Sequence, residues 1–151
     1  MTIMIISLFI GCGYSTDQFS NDKIYNENSV LDSFNILDES METISSGIYK
    51  GRLILSGSAT IWTYESSSDF DLKVPYSFSV KSGKAKIVLV SPDNTFVNLI
   101  ESTDKSTIEG TTSLTIPIKK GNNRIKLVGY KKADIDIELH IEKGTFSKIS
   151  F

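Results

Sequence analysis

A strict alternation of apolar and polar residues most narrows what this 151-residue chain can become. Phe70, Leu72, Val74, Tyr76, Phe78 and Val80 alternate with Asp71, Lys73, Pro75, Ser77, Ser79 and Lys81. Successive strand side chains point to opposite faces, so this run predicts a half-buried strand; an apolar helix face would repeat every 3.6 residues. Pro75 has no N–H for a ladder and marks an edge or a bulge. Leu53, Leu55, Ala59 and Ile61 form a second alternating set, interrupted at Gly57. From Ala85 to Val90 apolar residues occupy both faces, as in a central strand. Ser91-Pro92-Asp93-Asn94 is a turn and the chain returns over Thr95–Ile100. Leu114, Ile116 and Ile118 alternate next, and Gly121-Asn122-Asn123 turns the chain. Ile125 and Leu127 begin another strand, and Ala133, Ile135, Ile137, Leu139 and Ile141 a last long one. Short turns and alternation together predict an all-β, antiparallel β-sandwich of about seven or eight strands over residues 47–151.

The N-terminal residues follow different rules. Ile3 to Ile10 is an apolar run broken only by Ser7, and it ends in Gly11 and Cys12. A bilayer span needs roughly 20 apolar residues. The run has the length of the apolar centre of a secretory signal, about 7–15 residues, and it also suits an apolar strand or helix with a buried thiol. Leu8-Phe9-Ile10-Gly11-Cys12 resembles the lipobox of bacterial lipoproteins. That resemblance implies cleavage after Gly11, a diacylglyceryl thioether on Cys12, and attachment to a membrane outside the cytoplasm, at the cell surface or the periplasmic face. Residues 1–11 are then a signal peptide. Residues 12–29, polar and without periodicity, become a flexible tether.

Val30, Phe34, Leu37, Met41 and Ile44 are spaced alternately four and three apart, which places them on one helical face. Asn28 or Ser29 supplies a cap, and Ser45-Ser46-Gly47 a stop. The spacing predicts an amphipathic helix over 30–46, lying on the sandwich; a tether that is only sometimes helical is the other reading. Residues 13–46 hold seven acids and one base, net −6, and residues 47–151 hold 15 bases and 11 acids, net +4. The acidic segment is expected either to lie near the basic domain or to stand off an anionic membrane.

Few residues offer chemistry. A net charge of −2 gives no electrostatic case for nucleic acid. A single Cys and a single His exclude an intrachain disulfide framework and multi-Cys or His-rich metal sites. His140 shares the outward face of its strand with Asp134, Asp136, Glu138 and Glu142, and no Gly-x-Ser-x-Gly elbow accompanies it. Acids at alternate strand positions stand about 7 Å apart and do not wrap a cation as a loop does. Cross-strand pairs with Arg124 and Lys126 are expected instead, if 124–130 and 134–141 form a hairpin. Asp69 and Asp71 are a weak candidate for paired carboxylates. No catalytic residue, metal site or cofactor beyond the lipid is predicted.

Trp62 and Tyr64 fall opposite Leu53, Leu55 and Ile61, and they precede the polar stretch Glu65–Asp69. Two rings beside hydrogen-bonding groups suit a sugar: the rings stack on its C–H faces while Asp69 accepts from its hydroxyls. Two packing alternatives stand beside this. A bulge at Gly57 would reverse the phase and send Trp62 inward, or the 30–44 segment would cover that face.

Residues 116–141 look like the end of a galactose-binding-like jelly roll of the kind found in carbohydrate-binding modules. The similarity is carried by Ile118, Gly121, Asn123, Ile125, Leu127 and Asp134 or Asp136, in about a quarter of the domain. It implies a jelly-roll fold in which Gly121 turns the chain and Asn123 holds the loop. The expectation is a lipid-anchored envelope lipoprotein with a non-catalytic domain that recognises glycan or envelope polymer. The alternative is a protein-interaction or structural accessory subunit of an envelope complex, using the sandwich edge near Pro75 or the 30–44 segment.

Overall fold

The computed structural model describes residues 25–26, 28–103, 106–107 and 112–149. The signal peptide expected at 1–11, Cys12, and the tether as far as residue 24 lie outside the described residues. Strands run in the order β1 (Ser33–Ser45), β2 (Ile48–Ser66), β3 (Phe70–Val90), β4 (Phe96–Thr103), β5 (Ser106–Thr107), β6 (Thr112–Ile118), β7 (Gly121–His140) and β8 (Thr145–Phe146). All pairings among them are antiparallel.

Three very long strands, β2, β7 and β3, lie side by side in that order. Each breaks near its middle, and the breaks line up. On β2 the register shifts between Leu55 and Gly57. On β3 it shifts on both sides of Ser82. On β7, Lys131 and Lys132 take positive φ of 56° and 52°. Backbones approach closely along this line: a Cβ on Gly83 (φ +73°) would lie 2.5 Å from the Tyr130 carbonyl oxygen. The Lys132 N–H donates to the buried Ser56 Oγ at 2.8 Å and pins the corner. Bulges aligned across neighbouring strands let one sheet turn over on itself.

Cut at this line, the strands form two layers. The first runs β2–β7–β3–β6, with β1 added outside β2. The second runs β2–β7–β3–β4, with β8 against the far part of β2. Two four-stranded antiparallel layers sharing three strands in this order are a jelly roll. The core lies between them. Leu53 and Leu55 from the first half of β2 join Ile61 from its second half, with Phe78, Leu89, Ile125 and Ile135 from β3 and β7, all buried. Pro75 pairs with Ser113 on β6, one residue before the β7 ladder begins at Tyr76, so its missing N–H costs no ladder bond.

Two sequence expectations are corrected. The amphipathic helix over 30–46 is strand β1. Its register against β2 shifts between Phe34 and Ile36 and again between Asp38 and Met41. Each shift places one extra residue in β1, so Phe34 and Leu37, three apart, both face inward. The two bulges thus bring Phe34, Leu37 and Ile44, spaced three and seven apart, to one face of a strand, a spacing that reads as a helix, while Met41 (64% exposed) faces out beside Arg52. The predicted hairpin of 124–130 and 134–141 is also absent: these residues form one continuous β7 that bends at Lys131–Lys132.

Candidate functional site

A jelly roll has two outer faces, and this chain treats them differently. The outer face of the second layer carries Val88, Val128 and Tyr130, a small apolar cluster that Tyr25 completes. Tyr25 packs on Tyr130 at 5.7 Å between ring centroids, and its hydroxyl donates to Glu101 at 2.7 Å. Lys84 Nζ stands over both rings, 4.6 Å from Tyr25 and 4.8 Å from Tyr130. Farther along, Lys126 is 1% exposed. Its ammonium donates to the carbonyls of Ser29 (2.6 Å) and Leu31 (2.8 Å) and pairs with Asp32 at 3.2 Å. Arg124 donates to the Val30 carbonyl at 3.1 Å. Asp32 also accepts from the Thr60 N–H (2.9 Å) and hydroxyl (2.8 Å). The segment from Tyr25 to Asp32, expected to be tether and helix start, is therefore a strap bound across a basic face. Burial pulls the Lys126 ammonium down while the Asp32 carboxylate pushes it back up.

The outer face of the first layer is open. Cross-strand register sets its polar side chains in rows. Thr43, Lys50, Glu138 and Ser77 form one row, and Met41, Arg52, Asp136 and Ser79 the next. Lys73 beside Thr115 and Pro75 beside Ser113 extend the face onto β6. Lys50 lies 3.5 Å from Glu138, and Arg52 lies 3.8 Å from Asp136. Cross-strand ion pairs were expected for this acidic stripe. They form with β2 rather than with Arg124 and Lys126, which lie in the other layer. Exposed pairs of this kind contribute about 0–1 kcal/mol and exchange readily for a ligand. His140 Nε2 meets Glu138 Oε1 at 2.5 Å. That hydrogen bond, with Lys50 alongside, holds the Glu138 carboxyl below the usual carboxylate range. Among the described residues, no group of three or more His, Cys, Asp or Glu is placed to hold a metal.

Toward the fold line this face deepens into a cleft of about 520 Å³, lined by Glu39, Met41, Arg52, Ile54, Lys81 and Asp134 among others. Two bulges build it. Glu39 takes a positive φ of 48° in the β1 bulge, where Leu53 has no partner on β1. Lys81 is the extra residue of the β3 bulge beside Asp134. A left-handed conformation costs a non-glycine residue about 1–2 kcal/mol, and strained bulges gather where a strand must re-aim a side chain. The sequence reading missed Glu39, Arg52 and Lys81. Gly83, just after the alternating run ends, was the one visible sign of a bulge near Lys81.

The residues singled out for stacking lie elsewhere. Trp62 is 0% exposed. A second β2 bulge between Thr60 and Trp62 places Ile61 and Trp62 both inward, and the indole N–H donates to the Lys143 carbonyl at 2.8 Å. Trp62 is thus a core residue and presents no stacking surface, which corrects the sugar-stacking expectation in favour of the inward-packing alternative, though the bulge responsible is at Ile61 rather than Gly57. Tyr64, half-buried, rests on Trp62 at 5.8 Å and meets Phe70 edge-on at 6.3 Å. Asp69 is exposed, but one oxygen accepts from the Lys120 N–H at 2.7 Å and the other lies 3.8 Å from Lys119. Asn123 does hold its loop. Its side-chain amide donates to the Lys119 and Gly121 carbonyls at 2.7 and 3.0 Å, and its oxygen accepts from the Lys119 N–H at 3.1 Å.

No family model matches the chain, and no curated protein does. Among solved structures, one similar chain is a mutant of a carbohydrate binding module of family 29, with a TM-score of 0.41, 11% identity, and coverage of 73% of this chain and 77% of that one. Another is the Drosophila melanogaster CENP-C cumin domain, with a TM-score of 0.24, 12% identity, and coverage of 78% and 80%.

Proposed function

We propose that this protein is a lipid-anchored component of a bacterial envelope whose jelly-roll domain binds a glycan or another envelope polymer without acting on it. The observation that carries this reading is the asymmetry of the two outer faces. The strap lies on the second, and the described residues leave the first bare, with rows of cations, carboxylates and hydroxyls across β1, β2, β7 and β3. Neighbouring strands stand about 4.8 Å apart, so four of them offer a polar floor roughly 15 Å wide, enough for several residues of an extended polymer. Cys12 supplies the lipid attachment in this reading. Binding is carried by the open face rather than by Trp62. Tyr64 and Asp69 remain a secondary contact at the loop end of the sandwich.

Two measurements on the full chain test this. Cells fed an alkyne fatty acid should label the protein and retain it in membranes, and Cys12→Ser should abolish both. Cell-wall and polysaccharide pull-downs should capture the protein, and Arg52→Ala with Lys50→Ala should weaken capture about tenfold, or 1.4 kcal/mol, without changing the melting temperature. Failure of every polymer to bind would move the reading to a protein partner. One observation favours that second reading: among the described residues, the exposed large apolar ones, Leu31, Met41 (64% exposed) and Ile44, lie on or beside edge strand β1.

A further inference from the structure

The cleft near the fold line differs from the rest of the open face in how its charges are satisfied. Farther along the face, Lys50 pairs with Glu138 and Arg52 with Asp136. Around the cleft, among the described residues, Glu39, Lys81 and Asp134 have neither an ion-pair partner nor a side-chain hydrogen bond, and Arg52 has only its 3.8 Å contact with Asp136. The cleft thus offers two anionic and two cationic groups on four different strands. Met41 and Ile54 add apolar surface between them. The two bulges bring these groups to one place, because Glu39 and Lys81 are themselves bulge residues.

This charge pattern selects among ligand classes. A neutral sugar entering the cleft would strip water from four charged groups and offer none of them a counter-charge. A simple anion or cation would satisfy one sign and leave the other pair worse off. A group carrying one ammonium and one carboxylate a few bonds apart satisfies both, with its short aliphatic part against Met41 and Ile54. We propose that the cleft binds such a zwitterionic end group, as found on an amino-acid or short-peptide branch of a polymer. Arg52 and Lys81 receive the carboxylate, and Glu39 and Asp134 the ammonium. The inference rests on the reading of the first layer's outer face as the binding face, and it names the part of the polymer that this end of the face recognises.

The test is a nuclear magnetic resonance titration of the full chain in detergent micelles with alanylalanine, its N-acetyl derivative, its C-terminal amide and a neutral disaccharide. Alanylalanine should shift the backbone amides of Met41, Ile54, Lys81 and Asp134 saturably, with a dissociation constant in the millimolar range expected of a small fragment (~1–10 mM). Each blocked derivative should bind about tenfold more weakly. Lys81→Ala should remove the penalty for amidation, and Asp134→Asn the penalty for acetylation. Lys81 is exposed and Asp134 half-buried, both outside the core, and the amide spectrum itself reports folding. No saturable shift up to about 50 mM, or equal affinity for free and blocked dipeptides, would overturn the inference. Polymer or disaccharide binding on the row of Thr43, Lys50, Glu138 and Ser77, with the amides of Met41, Ile54, Lys81 and Asp134 unresponsive, would overturn it as well while leaving the open-face reading in place. Selective dipeptide binding with no polymer captured would support it and count against the polymer reading.

Discussion

Asp32→Asn tests how the strap is held. The substitution keeps the shape of the side chain and an oxygen for Thr60 but removes the charge facing Lys126. At 3.2 Å and an effective dielectric near 20, the Asp32–Lys126 attraction is about 5 kcal/mol. The Asp32 side chain is 42% exposed, so solvent screens much of this. A loss of about 2 kcal/mol is expected at pH 7. The same change in a Lys126→Met background should cost less than about 0.5 kcal/mol, because no buried cation is left uncompensated. Urea unfolding followed by Trp62 fluorescence is the assay, since the only Trp lies in the core. The pH dependence has a definite sign. Burial lowers the Lys126 pKa in the folded protein, so the folded state releases that proton before the unfolded state does. Stability therefore rises with pH between the lowered folded value and the ordinary value of 10.5. Without Asp32, which pushes the value up, the folded pKa falls further and this window widens. The deficit of Asp32→Asn should then shrink markedly by pH 10. Tyr25 and Tyr49, held protonated by burial and by Glu101 and Glu42, contribute equally in both proteins and cancel in the difference. A deficit that is the same at pH 7 and pH 10, or that persists in the Lys126→Met background, would refute the electrostatic account and assign the loss to the Thr60 hydrogen bonds.

Two substitutions probe the fold. Trp62→Ala empties a fully buried site and orphans the Lys143 carbonyl, and should cost about 3–5 kcal/mol by circular-dichroism melting while the folded fraction still captures polymer; selective loss of capture at unchanged stability would restore Trp62 as a ligand contact. Gly57→Ala places a Cβ 2.3 Å from Phe34 Cα at a φ of +130°, so β1 cannot cross β2 there unchanged. Hydrogen exchange in residues 36–45 should speed by at least tenfold, corresponding to about 1.4 kcal/mol, and unchanged protection would show that β1 docks independently of this crossing.

The parts of the fold that were legible share one property: their apolar phase runs unbroken. β3 from Phe70 to Val80, β6, and the second half of β7 alternate without a shift, and both their strand character and their buried faces follow from the sequence. Asn123 was legible too, because a turn after Gly121 needs a side chain that can hold its carbonyls. What failed did so at bulges. One extra residue in β2 at Ile61 turned Trp62 from an outward ring into a core residue. Two extra residues in β1 gave a strand the spacing of a helix. The bend at Lys131–Lys132 has no Gly, Pro or Asn to announce it, so one strand looked like a hairpin. A bulge is a matter of pairing against a neighbour, and the neighbour is fixed only by the fold as a whole.

The same physics explains why the candidate site was the least legible part of the molecule. Glu39, Lys81 and Asp134 are unremarkable in sequence, where charged residues are common. They become a site because a bulge on β1 and another on β3 open toward one another across β2 and β7. The strap follows a comparable logic from the other side. Sequence charge alone left the acidic segment either near the basic domain or off an anionic membrane, and Asp32 on Lys126 favours the first for that residue. It could not foresee that the contact would bury Lys126 and close the apolar cluster of Val88, Val128 and Tyr130. With Val88, Val128 and Tyr130 closed off by Tyr25, the polar rows of the first layer are a broad outer surface that the described residues do not cover. The missed strap and the missed cleft therefore bear on one question: covering the second layer leaves the first to meet a ligand, and the bulges decide where on the first layer that ligand finds unpaired charge.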